Sequence, residues 1–166
     1  LTLTGAAWNS PSNKTLASYG ASYLWALYLW EHYGGNAFIT RLVDDEANGI
    51  AGVDSTLAAA GHSDRFEQAF RKWVVANYLD DGTGPYGYAH IQLLESGYDN
   101  SNTFQRPVLA ASHSTYPASA SGRSLNYWAA AAIKLTGGSG GTLSVNFNGA
   151  DDNRFAAILV RSSTSS

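Results

Sequence analysis

The residues able to move protons or hold a metal are few and scattered. The four histidines are His32, His62, His90 and His113. No two stand four apart, and no His-Glu-x-x-His run exists, so no helix presents paired zinc ligands. Glu31 and His32 are adjacent rather than three or four apart, the spacing that stacks two side chains on one helix face. His32 is a candidate ligand or catalytic acid, the alternative being a hydrogen-bonded structural histidine. Serines are plentiful, but no Gly-x-Ser-x-Gly elbow frames one. The glycine-rich stretch 137–141 lacks a following Lys-Ser/Thr and so makes no phosphate cradle. Asp80 and Asp81, beside Gly82 and Gly84, offer hard oxygen donors on a glycine-bearing loop and are calcium candidates. They lack the alternating spacing of an EF-hand loop, and solvated charge is the other reading, as for Asp44-Asp45-Glu46. Tyr116, Tyr127 and Trp128 are candidates for stacking on a sugar or peptide, unless they bury against helices.

These residues must be positioned by two kinds of element. Ser18 to Gly35 packs six aromatic residues, Tyr19, Tyr23, Trp25, Tyr28, Trp30 and Tyr33, into one helix-length run. Leu16, Tyr19, Tyr23, Leu27 and Trp30 follow one face, and Trp25, Tyr28 and Leu29 lie on another. Such a helix needs neighbours on two sides. Trp25 or Trp30 is therefore expected to be exposed in the isolated chain, or covered by another copy of it. The helix should run from about Thr15 to the Gly34-Gly35 stop. A second is expected over 37–45 with Asn36 as its cap, and a short third over 54–60. A fourth should begin at Asp64 with Glu67 completing a capping box. Its stripe is Phe66, Phe70, Trp73, Val74 and Asn77, and it ends before Asp80-Asp81-Gly82-Thr83-Gly84-Pro85.

Near residue 98 the composition turns to Ser, Thr and Gly with alternating apolar residues. Strands are expected at 104–111, 128–135, 143–147 and 155–160, the last buried on both faces. Turns at 137–141 and 148–152 would join them as hairpins. The expected class is α+β: a helical subdomain over 1–98 and a small antiparallel β module over 99–166.

Composition narrows the function classes. Charged residues are only 14% of the chain, so Ser, Thr, Asn and Gly must cover the surface, a composition common in secreted proteins. A net charge of -3 provides no footprint for nucleic acid, and no basic run suits a membrane surface. No apolar stretch is long enough to span a bilayer. With Cys 0 there is no thiolate metal site or disulfide. With Met 0 there is no initiator, and the chain is expected to be a processed product or a piece of a longer polypeptide.

Tyr19-Gly20-Ala21-Ser22-Tyr23-Leu24, Tyr28-Leu29-x-Glu31-His32-Tyr33-Gly34-Gly35, Gly49-Ile50-Ala51-Gly52-Val53-Asp54 and Trp73-Val74-Val75-Ala76-Asn77-Tyr78-Leu79-Asp80 carry a resemblance. Together with Tyr86-Gly87-Tyr88, they resemble the helical subdomain of secreted bacterial zinc metallopeptidases of the gluzincin type, such as immune-inhibitor-A-like and hyicolysin-like proteins. The resemblance covers roughly residues 15–90. It implies an extracellular parent enzyme whose zinc, general base and third ligand lie upstream, and whose substrate is a peptide. Tyr19 or Tyr23 would then assist an oxyanion. The implied partner is the missing upstream half or another copy of this chain. The chain alone is expected to be inactive, because peptide hydrolysis needs the metal-bound water. The rival expectations are a stand-alone carbohydrate- or cell-wall-binding module and an intact enzyme on a metal-free mechanism.

Overall fold

Glycine, not a polar cap, separates the first two helices. The computed structural model describes residues 13–94, 104–105, 109–119, 124–125, 127–137 and 141–161. Helix α1 (Asn13–Tyr33) stops where Gly34 and Gly35 take φ 126° and φ 61°, a region that side chains disfavour. Helix α2 (Gly35–Asp44) starts at once, with Gly34 as its cap. Asn36 is thus inside the helix. Its amide oxygen accepts the Trp30 indole N–H at 2.8 Å.

Helix α3 (Ile50–Ala59) begins earlier than the sequence suggested. Asp54 accordingly lies within it, and its carboxylate caps a different helix by accepting the Phe66 N–H at 2.6 Å. That helix, α4 (Phe66–Leu79), is capped by Arg65 rather than Asp64. Gln68 Oε1 accepts the Arg65 N–H at 3.1 Å, so the expected role of Glu67 falls to Gln68. Glu67 instead pairs with Arg71 one turn on.

The core joins all four helices. Leu24, Tyr28, Leu29 and Tyr33 of α1 meet Phe38 of α2, Val53 and Leu57 of α3, and Phe66, Phe70, Trp73 and Ala76 of α4. Of the stripe expected on α4, Phe66, Phe70, Trp73 and Asn77 are buried, while Val74 is half-buried and Val75 is the buried valine. On α1 the buried side is that of Tyr28 and Leu29, while Tyr19 and Tyr23 are 51% and 49% exposed. Trp25 and Trp30 are neither fully exposed nor fully buried. Trp25 packs edge-on to Phe66 and Trp73 with centroids at 5.5 Å, and Trp30 meets the His90 ring at 4.9 Å. Both therefore find partners within the chain, which the expected exposure did not anticipate.

After α4 the chain crosses back over the helices as irregular backbone. Tyr88 and Leu93 enter the core from it. The Tyr88 hydroxyl donates to Asn77 Oδ1 at 2.8 Å, and the Asn77 amide donates to the Trp73 carbonyl at 2.9 Å. This explains the Trp-x-x-Ala-Asn spacing: one turn of α4 places Asn77 over Trp73 and under Tyr88.

The fold class is α+β, with short strands. Strand β1 (Leu93–Leu94) pairs with β2 (Phe104–Gln105), and β3 (Ala111–His113) with β4 (Ile133–Leu135). Both pairs are parallel, not antiparallel as expected. Parallel partners cannot be joined by a tight turn, and the segment between β3 and β4 provides the longer connection. Of the expected strand 128–135, only its last residues form a ladder. The alanines before them are weak strand formers. The expected strands 143–147 and 155–160 are absent. The turn between them exists, with the Asn153 N–H on the Ala150 carbonyl at 3.2 Å and Phe147 against Phe155 at 5.8 Å. However, both flanks lie open, and Leu159 is 83% exposed rather than buried. Alternation supplies a face, but a strand needs a ladder and a layer to cover it. The expected domain boundary near 98 lies outside the described residues.

Trp128 ties the second half of the chain to the helices. Its ring packs edge-on to Phe66 at 4.6 Å and Phe70 at 5.3 Å. Its backbone is left-handed, φ 52°, which costs a bulky residue about 1–3 kcal/mol. Packing against two aromatic rings offsets that cost, at about 0.5–1.5 kcal/mol per pair beyond burial alone.

The Tyr88–Asn77 bond provides a test of this architecture. Tyr88→Phe leaves the buried Asn77 oxygen without its donor and should destabilise the chain by about 1–3 kcal/mol in urea denaturation. An unchanged midpoint would show that the interlock contributes nothing.

Candidate functional site

Two clefts open along α1 and meet at His32. The first, of about 300 Å³, is lined by Tyr28, His32, Tyr33, His62, Asp64 and Lys72, with Ser63 and Pro85 at its edge. The second, of about 460 Å³, runs between Trp30, Glu31 and Gly34-Gly35 on one side and Gly82, Gly84 and Tyr88 to His90 on the other. Residues 80–90 complete both. This segment is possible only because Gly87 has no side chain, since a Cβ there would lie 1.8 Å from the Asp81 carbonyl oxygen.

The first cleft is organised around one carboxylate. Asp64 Oδ2 accepts from the Tyr33 hydroxyl at 2.8 Å and from Lys72 Nζ at 2.5 Å. Burial raises the Asp64 pKa, but the hydrogen bonds from Lys72 and Tyr33 and the nearby charges of Lys72 and His62 outweigh it. The carboxyl is held below its ordinary value. Burial is also the main reason that the Tyr28 and Tyr33 hydroxyls are pushed far up. The Asp64 charge adds to the shift at Tyr28, and the bond to Asp64 adds to it at Tyr33. Both phenols therefore stay neutral donors. Tyr28 donates to the Pro85 carbonyl at 2.8 Å.

The histidines of this cleft are committed to backbone. His32 Nε2 donates to the Gly87 carbonyl at 3.0 Å, and its ring lies 4.4 Å from that of Tyr28. His62 Nε2 donates to the Tyr33 carbonyl at 3.0 Å. In the second cleft Glu31, with a side chain only 4% exposed, accepts the Ala89 N–H at 2.8 Å and the His90 N–H at 3.0 Å. It also accepts His90 Nδ1–H at 2.9 Å.

The sequence candidates thus disperse. His32 lines both clefts, whereas Tyr19 and Tyr23 line neither and lie on the far side of α1. Asp80 accepts the Leu93 N–H at 2.5 Å, and Asp81 Oδ1 accepts from both the N–H and the hydroxyl of Thr83 at 3.1 Å. Each of the two has a structural use that needs no cation. The Tyr116 hydroxyl donates to the Thr136 carbonyl at 2.9 Å. Tyr127 is 79% exposed, but Trp128 turns into α4, so the three do not form one platform. Sequence reasoning missed Glu31 with His90, and Asp64 with Lys72 and Tyr33. Those partners stand too far apart in the chain to leave a local signal.

No family model, curated protein or solved structure matches the chain. The described residues do not fit a catalytic zinc. Among the described residues no three His, Asp or Glu side chains converge, and His32 and His62 each spend a ring nitrogen on a carbonyl. Also among the described residues, no helix is long and apolar enough to cross a membrane.

The Asp64 network carries a pH signature. A depressed carboxyl contributes stability above its unfolded value of about 3.9, and that contribution is lost as pH falls through the folded value. Asp64→Asn should cost about 1–3 kcal/mol at neutral pH and flatten the acid limb of a stability-versus-pH curve measured in urea. A variant with an unchanged acid limb would exclude Asp64 as a source of acid sensitivity.

Proposed function

We propose that the chain is the helical wall of the substrate cleft of a secreted zinc metallopeptidase, with the zinc and its ligands contributed by sequence outside these residues. The observation that carries this reading is the pair of clefts along α1, joined at His32. Both are open, with aromatic rings in their walls and glycine backbone in the second, surfaces against which an extended peptide would lie. Of the stretches that resemble the peptidase subdomain, Tyr28 to Gly35 and Tyr88 contribute to these clefts.

In this reading Tyr28, Glu31 and His32 hold the wall's shape, and the metal-bound nucleophile belongs to the upstream half. A second copy of this chain is the other partner that would complete the cleft. The alternative of a carbohydrate-binding module draws less support, because Trp128 is packed on Phe66 and Phe70.

The encoded sequence upstream of Leu1 should contain His-Glu-x-x-His. The polypeptide carrying both parts should hydrolyse peptides in a chelator-sensitive way, while residues 1–166 alone do not. A natural polypeptide beginning at Leu1, or an upstream segment without the zinc motif, overturns the proposal.

A further inference from the structure

The four histidines are not equivalent. His32 and His62 bury their Nε2 in hydrogen bonds to carbonyls. His90 does the reverse: its Nδ1–H is held by Glu31 at 2.9 Å, and among the described residues its Nε2 has no hydrogen-bond partner. The contrast in exposure is large, with the Glu31 side chain 4% exposed and that of His90 59%. A buried carboxylate on Nδ1 fixes the tautomer and leaves the Nε2 lone pair facing outward, where it can take a proton. Glu31 is fixed in turn by two backbone N–H groups, from Ala89 and His90. The imidazole stands at the second cleft, beside the Trp30 ring at 4.9 Å, among lining residues that include no lysine or arginine.

From this geometry we infer that Glu31 and His90 form a general-base dyad that hydrolyses uncharged aryl esters in the second cleft, without a metal. His90 Nε2 takes a proton from water as the water oxygen bonds to the ester carbonyl carbon. The tetrahedral adduct then breaks its bond to the leaving oxygen, and the imidazolium returns the proton to that oxygen. Water and ester become acid and alcohol, with no change of oxidation state. Trp30 offers the aryl group a ring to lie against. His90 is the catalytic residue and Glu31 the positioning residue. Peptide amides, with a far poorer leaving group, are not turned over, so this activity is separate from the zinc-dependent one proposed above.

The test is hydrolysis of p-nitrophenyl acetate by the purified chain with and without a chelator, together with nitrogen NMR of the histidine rings. His90→Gln should lower the rate roughly 100-fold, and Glu31→Gln should lower it at least tenfold, in variants whose circular dichroism is unchanged. Neutral His90 should show the Nδ1–H tautomer, unlike His32 and His62. A folded His90→Gln variant with the parent rate overturns the inference. So does an Nε2–H tautomer at His90, or a rate abolished by the chelator. None of these results bears on the upstream zinc motif.

Discussion

The structure depends on how α1 satisfies the backbone of residues 85–90. That segment has no helix or ladder of its own, and buried peptide groups without partners are costly. Polar side chains from one turn of α1 supply them. The Tyr28 hydroxyl donates to Pro85, His32 donates to Gly87, and Glu31 accepts from Ala89 and His90. These residues stand at i, i+3 and i+4, so one helix face meets the crossing chain. Once the crossing is fixed, Tyr88 drops into the core and closes on Asn77, and both clefts appear at its edges. The seam and the candidate site are therefore one feature. Residues that look catalytic by type, His32 above all, are occupied in holding the wall.

The aromatic content of the core follows from the same arrangement. Four short helices around a crossing loop leave irregular gaps. Large planar rings fill them by edge contacts, as Trp25 does between Phe66 and Trp73. Trp128 extends this cluster from outside, at the cost of a left-handed backbone. Its position also shows why exposure of an aromatic residue cannot be read from its neighbours in sequence. Tyr127 beside it is among the most exposed side chains, although the two differ by a single step along the chain.

Periodicity served the helices well because it is local. The α4 stripe of Phe66, Phe70 and Trp73 is buried, and Gly34-Gly35 ends α1 as glycine pairs do. The α1 faces were ambiguous for a physical reason. With aromatic residues nearly all round, no hydropathy contrast picks a side. The choice fell to polar partners on a distant loop, which placed Tyr28 inside and left Tyr23 half exposed. The segments 143–147 and 155–160 failed in the opposite way. Their alternation is clear, but a ladder is a relation between segments, and no described strand lies beside them. Capping shows the same limit. Asp54 and Asp64 have the composition of helix starters, yet each carboxylate is claimed by a group outside its own helix start.

The two covered carboxylates of the site illustrate what such claims do to chemistry. Each must be compensated for leaving water. Asp64 is compensated by the ammonium of Lys72 and by a phenol that stays neutral. Its charge is thereby neutralised on the spot. Among the described residues, Glu31 has no lysine or arginine paired with it. It is compensated by two peptide N–H groups and one imidazole N–H, all of them dipoles when the ring is neutral. Asp64 is thus paired with an ammonium and Glu31 with dipoles, two different ways for one wall to hold a carboxylate away from water.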